Sequence, residues 1–253
     1  MRAGLYPFWI GPAPFFSTIL RMSLYCGIIV PVPKEGMKKS ERRRVMVIKP
    51  LYSYDGVASN CYLVSSKNEA ILFDASVSPD QVKKELGTDK LLAVVLTHGH
   101  FDHMLRLSDI TTVFQVPSFI HVGDRDFPSD GLRNAHILFY GTDMDYGEVN
   151  ETFEDGHLFH VGDEEIRVLN TPGHTIGSCV FFTSAGLITG DTLFASGHGR
   201  TDLYSGDDRQ MAKSLVRLSE YDGKQRIYPG HGALSTLSHA LWECGITGRY
   251  TNL

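Results

Sequence analysis

Cysteine is scarce, and none of it is paired by spacing. Cys26, Cys61, Cys179 and Cys244 stand far apart with no CxxC pair, which excludes a disulfide framework. They read as buried or free thiols in a reducing, cytoplasmic compartment. Long apolar runs are also missing. The most apolar stretch, Tyr6 to Pro33, is broken by Pro7, Pro12, Pro14, Pro31 and Pro33 and carries Arg21, so it fits neither a membrane span nor a signal peptide. Charge of one sign is absent too. Lys and Arg number 24 against 29 Asp and Glu, a net −5, which excludes the basic footprint of a nucleic-acid binder. There is no GxSxG, no repeat and no low-complexity segment.

What is there is an ordinary globular composition. The 253 residues are 42% apolar and 21% charged, enough chain for a full core. Residues 1–44 are poorly patterned and end in the basic run Lys38, Lys39, Glu41, Arg42, Arg43, Arg44. They are expected to be an N-terminal extension, disordered or preceding a true start at Met37 or Met46. A single catalytic domain is expected over residues 45–253, acting on a small-molecule substrate without nucleic-acid or membrane partners.

From Val45 the pattern sharpens. Val45–Leu51, Cys61–Ser65 and Ala70–Asp74 are β-rich runs separated by the turns Tyr54-Asp55-Gly56 and Lys67-Asn68. Ser78-Pro79-Asp80-Gln81 reads as a helix start with a capping box, Val82 and Leu86 face inward, and Gly87 stops the helix. Leu91–Thr97 is a strand apolar enough to be buried on both faces. Further strands are expected at Ser118–Val122, Glu165–Asn170, Cys179–Thr183, Gly186–Thr189 and Arg226–Tyr228. Ser205 to Asp208 reads as a second cap, before a helix with Met211, Leu215 and Leu218 on one face. Strands in runs with interspersed helices imply an α/β chain with sheets inside and helices outside.

The chemistry lies just past the buried strand, in Thr97-His98-Gly99-His100-Phe101-Asp102-His103. Three histidines and a carboxylate follow a rigid strand end, Gly99 allows a tight backbone, and the donors suit zinc, iron or manganese. Four such groups are too many for one tetrahedral site with an open position. Three further candidates also sit at strand ends beside glycines: Thr171-Pro172-Gly173-His174, Gly190-Asp191-Thr192 and Pro229-Gly230-His231-Gly232. Seven ligands divide into two metals sharing a carboxylate, about 3.5–4 Å apart in two-metal hydrolases. Zinc is the expected metal.

H-x-H-x-D-H, then G-H-T, G-D-T and P-G-H-G, in this order, resembles the metallo-β-lactamase superfamily over about residues 46–235. The resemblance implies an αββα sandwich with the site at one edge of two sheets. It also implies a first metal on His98, His100 and His174, a second on Asp102, His103 and His231, and Asp191 as the bridge. Asp74, in Ile71-Leu72-Phe73-Asp74, would support the ligand loop by hydrogen bonding. Departures narrow the choice. The common zinc β-lactamases carry cysteine at the place of Asp191, flavo-diiron proteins carry glutamate at the place of His100, and RNA-processing members need a large insert. Gly199-Arg200-Thr201-Asp202 is similar to short glyoxalase-II-like hydrolases and to persulfide dioxygenases.

The expected activity is hydrolysis of a thioester of hydroxyacylglutathione type, or of a related acyl bond. A metal-bridging hydroxide would attack the carbonyl, and Asp102 would orient it or take its proton. The rival is a mononuclear iron persulfide dioxygenase on His98, His174 and Asp191, a two-His-one-carboxylate triad. The complete second ligand set favours the hydrolase. Arg200, Asp202 and Tyr204 are candidate substrate contacts. His121, His136, His157, His160 and His239 receive no role, and His198 is noted only for its nearness to the site loop.

Overall fold

The computed structural model describes residues 46–53 and 56–247. The extension expected over residues 1–44 and the turn at Tyr54-Asp55 lie outside them. The first half of the described chain builds a six-stranded sheet from β1 (Val47–Leu51), β2 (Cys61–Ser66), β3 (Glu69–Phe73), β4 (Lys90–Val95), β5 (Ser118–His121) and β6 (Glu151–Phe153), in spatial order β1 to β6. The first three strands pair antiparallel and the rest parallel. The second half builds another from β7 (Leu158–Val161), β8 (Glu164–Asn170), β9 (Cys179–Thr183), β10 (Gly186–Gly190), β11 (Arg226–Pro229) and β12 (Ser235–Thr236), in the order β12 to β7. Only β10 and β11 pair parallel in that sheet.

The two-residue period of each strand sorts its apolar residues into layers. Tyr62, Val64, Ile71, Phe73 and Val95 from the first sheet meet Ile166, Val168, Phe181, Ile188 and Tyr228 from the second in a shared core. Phe73 and Phe181 pack edge to face with ring centres 4.7 Å apart. Their neighbours in sequence point the other way. Leu63, Leu72, Val94 and Leu96 pack under α1 (Pro79–Leu86) and α2 (Leu107–Phe114). Leu169, Val180, Leu187 and Ile227 pack under α4 (Asp208–Leu218) and α5 (Leu237–Glu243). Both sheets are thus buried on both faces in helix–sheet–sheet–helix order, the expected αββα sandwich. A short helix, α3 (His136–Tyr140), stands by the site. Among the described residues no helix is long and apolar enough to cross a membrane.

Local signals fared unevenly. Ser78 caps α1, but Gln81 does not close a capping box; its side chain donates to the Tyr52 carbonyl at 3.1 Å instead. Asp207 is the residue of the second predicted cap that accepts from Gln210 N, at 2.8 Å. The strand expected over Leu91–Thr97 ends at Val95, and the Thr97 N–H donates to an Asp74 carboxylate oxygen at 2.8 Å rather than to a neighbouring strand. The sequence reading missed α2, which has no side-chain cap, and α5, whose cap Thr236 accepts from His239 N at 3.4 Å.

Candidate metal centre

All seven candidate ligands follow strand C-termini at one edge of the sandwich. β4 leads into His98 and His100 and then a single 3₁₀ turn carrying Asp102 and His103. Past β8 comes His174, past β10 Asp191, and past β11 His231. They converge as three groups whose ligand atoms lie within 4.8 Å of one another: His98, His100 and His174; His98, His103 and Asp191; and Asp102, His103 and His231.

In the first group His174 Nε2 lies 2.8 Å from His100 Nδ1 and 3.2 Å from His98 Nε2. In the last, Asp102 Oδ2 lies 3.0 Å from His231 Nε2 and 3.9 Å from His103 Nε2. Asp191 spans them: one oxygen is 3.2 Å from His103 Nε2, and the other is 3.5 Å from His174 Nε2 and 3.6 Å from His231 Nε2.

Neighbouring groups set the imidazole tautomers. His174 Nδ1 donates to the Arg200 carbonyl at 2.6 Å. His103 Nδ1 donates to Asp74 at 2.8 Å. Thr97 Oγ1 gives its proton to Asp74 and faces His98 Nδ1 at 3.1 Å as acceptor. Each of these rings therefore turns a bare Nε2 into the cluster when neutral. Bare nitrogens 3.2 Å apart repel unless a cation sits between them. His100 Nε2, His103 Nε2 and Asp191 Oδ1 are buried without a hydrogen-bond partner. Such orphaned groups together with this donor set fit metal ions.

Electrostatics divides the cluster. Burial, with the neighbouring histidines, holds His98 well below the ordinary imidazole range. Burial and His174 push His100 down to about 3, and burial also lowers His174. Burial works against the cation at His103 and His231 as well, but carboxylates outweigh it: Asp74, Asp191 and Asp102 at His103, and Asp102 and Asp191 at His231, so both are raised. The same histidines hold Asp191 and Asp102 ionised against their burial.

The supporting shell contains one residue the sequence reading anticipated and one it missed. Asp74, in the left-handed region at φ 60°, accepts from Thr97 N, Thr97 Oγ1 and His103 Nδ1. Asp124, wholly buried, accepts from Gly99 N between two ligands, and from Thr175 Oγ1 and Gly177 N just past His174. No motif marks it; Gly123-Asp124 looks like any turn. Two glycines are required for space. A Cβ at Gly99 would meet the Phe127 side chain at 2.5 Å, and one at Gly230 would meet Asp191 Oδ1 at 2.2 Å.

Of the candidate substrate residues only Arg200 reaches the site. Arg200 lines the cavity beside the cluster, but Asp202 and Tyr204 are not among its lining residues. Asp202 pairs with Arg200 through two bonds of 2.7 and 2.8 Å, and that pairing pulls its carboxyl down to about 2. Tyr204 packs on Phe127, with the Arg133 guanidinium over its ring. His198 bonds the Gly199 carbonyl and stays out of the cluster.

The described fold and these converging side chains match known proteins. The family model of the metallo-β-lactamase superfamily matches residues 54–231. An uncharacterized protein of Mycobacterium leprae is 33% identical over 192 residues, covering 70% of this chain and 88% of that one. A probable polyketide biosynthesis zinc-dependent hydrolase, BaeB of Bacillus velezensis, is 30% identical over 191 residues, covering 73% and 78%. The solved structure of TTHA1623 in a di-iron-bound form superposes with a TM-score of 0.66 at 28% identity, covering 76% and 96%. The chain belongs to the metallo-β-lactamase superfamily.

Proposed function

We propose that the protein is a two-metal hydrolase of acyl substrates, cleaving a thioester of hydroxyacylglutathione type or a related acyl bond. The observation that carries this reading is Asp191, whose two oxygens face both histidine groups at 3.2 to 3.6 Å. His98, His100 and His174 would hold one ion, and Asp102, His103 and His231 the other. When bound, such a pair supplies Lewis acidity and an activated water at neutral pH. The chain's own residues do the rest. Asp102, 18% exposed on its side chain and lining the cavity, would orient the water or take its proton. Asp74 and the Arg200 carbonyl keep His103 and His174 in the tautomers that face inward.

Zinc is the metal proposed, in keeping with the name of the Bacillus velezensis relative. Iron has equal chemical access to imidazole and carboxylate donors. Free Cys61, Cys179 and Cys244 accord with a cytoplasmic protein. The test is metal content of the purified chain together with hydrolysis of S-lactoylglutathione and simpler thioesters. Two ions per chain and hydrolysis are expected, and Asp191→Ala should lower kcat/KM by about 10³-fold or more, as expected when a metal-site carboxylate is removed. A fully active Asp191→Ala enzyme overturns the assignment. One iron per chain with oxygen consumption replaces it with the persulfide dioxygenase on His98, His174 and Asp191.

A further inference from the structure

The cavity beside the ligand cluster encloses about 350 Å³, within the ~300–1,000 Å³ range of small-molecule sites. One side of it is the metal centre. Apart from Arg200 and two glycines, the rest is apolar: Val57, Phe101, Ala135, Phe139, Phe194 and Leu203. Two of these are exposed, Phe139 at 54% and Val57 at 42%. Large apolar side chains held exposed at the mouth of a site mark a surface that something apolar covers.

Their positions are built. Phe101, buried in the turn between His100 and Asp102, packs on Phe139 with ring centres 5.4 Å apart and on Tyr140 at 5.6 Å, which fixes α3 as one lip of the cavity. Phe194 lies edge-on to the His231 ring at 6.0 Å. Arg200 is the one Lys or Arg among the described lining residues, and both Asp202 oxygens already accept from it. An anionic arm extending away from the ligand cluster thus meets no unpaired cation among those residues, whereas an apolar chain is covered by four or more side chains.

Resting on the hydrolase reading above, we propose that the substrate is a thioester of an apolar acyl chain on an uncharged thiol arm, the chain lying against Phe101, Phe139, Val57 and Leu203. Water adds its oxygen to the acyl carbon, the carbon–sulfur bond breaks, and the products are a carboxylic acid and a thiol that takes up the departing proton. Glutathione, with two carboxylates, suits this surface poorly.

The test measures kcat/KM of the zinc-loaded full chain on acetyl, butanoyl and octanoyl thioesters of N-acetylcysteamine, beside S-lactoylglutathione. Each methylene removed from water is worth roughly fourfold, so a rise of about tenfold or more from acetyl to octanoyl is expected, with octanoyl preferred over S-lactoylglutathione. Phe139→Ala should lower the octanoyl value roughly fivefold more than the acetyl value. Calorimetry with the uncleavable S-octyl-N-acetylcysteamine checks the surface without turnover: binding with a negative heat-capacity change is expected, and Phe139→Ala should weaken it. A flat chain-length series, a preference for S-lactoylglutathione, or no binding of the octyl thioether overturns the apolar assignment and leaves the hydrolase reading standing. Tight binding of the octyl thioether with no turnover of any thioester overturns the hydrolase reading, and the substrate assignment falls with it.

Discussion

His103 and His231 carry raised imidazole pKa values, whereas His98, His100 and His174 carry lowered ones. A ligand imidazole binds metal only without its proton. A raised pKa means that the proton stays on to higher pH, so protons compete sooner at the group containing His103 and His231 as pH falls. The trio His98, His100 and His174 gives up its protons more readily. Dialysis at stepwise lower pH, from about 8 to about 5, should therefore remove the metal of the Asp102, His103 and His231 group before the other. Metal analysis at each step checks the order. Simultaneous loss of both ions, or loss from the His98 group first, contradicts it; replacing His100 or His231 with alanine tells the two sites apart.

At the scale of elements, the ligand loops are held by residues that touch no ligand atom. Asp124 ties the loop after β4 to the loop after β8 through three donors. Asp124→Asn keeps the shape but turns an amide N–H₂ toward one of those donors. Leaving a buried donor unmatched costs about 1–3 kcal/mol, and loss of an outer-shell partner weakens metal binding about 10- to 100-fold. Chelator competition should show that loss of affinity at the His98 group, and Thr175→Ser, which keeps the hydroxyl donor to Asp124, should lose less of it than Asp124→Asn does. An unchanged chelation curve would show that Asp124 only packs.

What could be read from the sequence divides along the same line. The seven clustered side chains were legible because ligand chemistry demands a few residue types at short spacing after strands, and β2, β8, β9 and α4 were legible because their apolar period is plain. Asp124 was not, because a carboxylate serving backbone N–H groups has no spacing rule; its partners are 25, 51 and 53 residues away. α2 was not, because its N-terminus at Arg106 lacks a capping side chain. The three-residue β6 was too short to show a period. Arg200 and Asp202 read from the sequence as candidate substrate contacts, but their side chains bond each other, a pairing that residue type alone does not reveal.

For the molecule as a whole, metal and fold are linked. A ligand that binds only the folded state at about 100 times its Kd adds about 2.7 kcal/mol, and about 1 kcal/mol moves the melting midpoint of a domain this size by about 2–4 °C. Removing metal with a chelator should lower the midpoint by about 5–10 °C, and restoring zinc should recover it. An identical midpoint with and without metal would mean the cluster is equally well formed when empty.

Each of the three ligand groups draws on both sheets: His98, His100, Asp102 and His103 follow the first, and His174, Asp191 and His231 follow the second. The ions would therefore act as rivets through a seam. Neither half of the chain owns a complete set of donors, so tight metal uptake reports that both halves have formed and met. A misfolded or half-built chain has no competent site to fill, and where free metal is scarce the loaded population would by construction be the correctly assembled one.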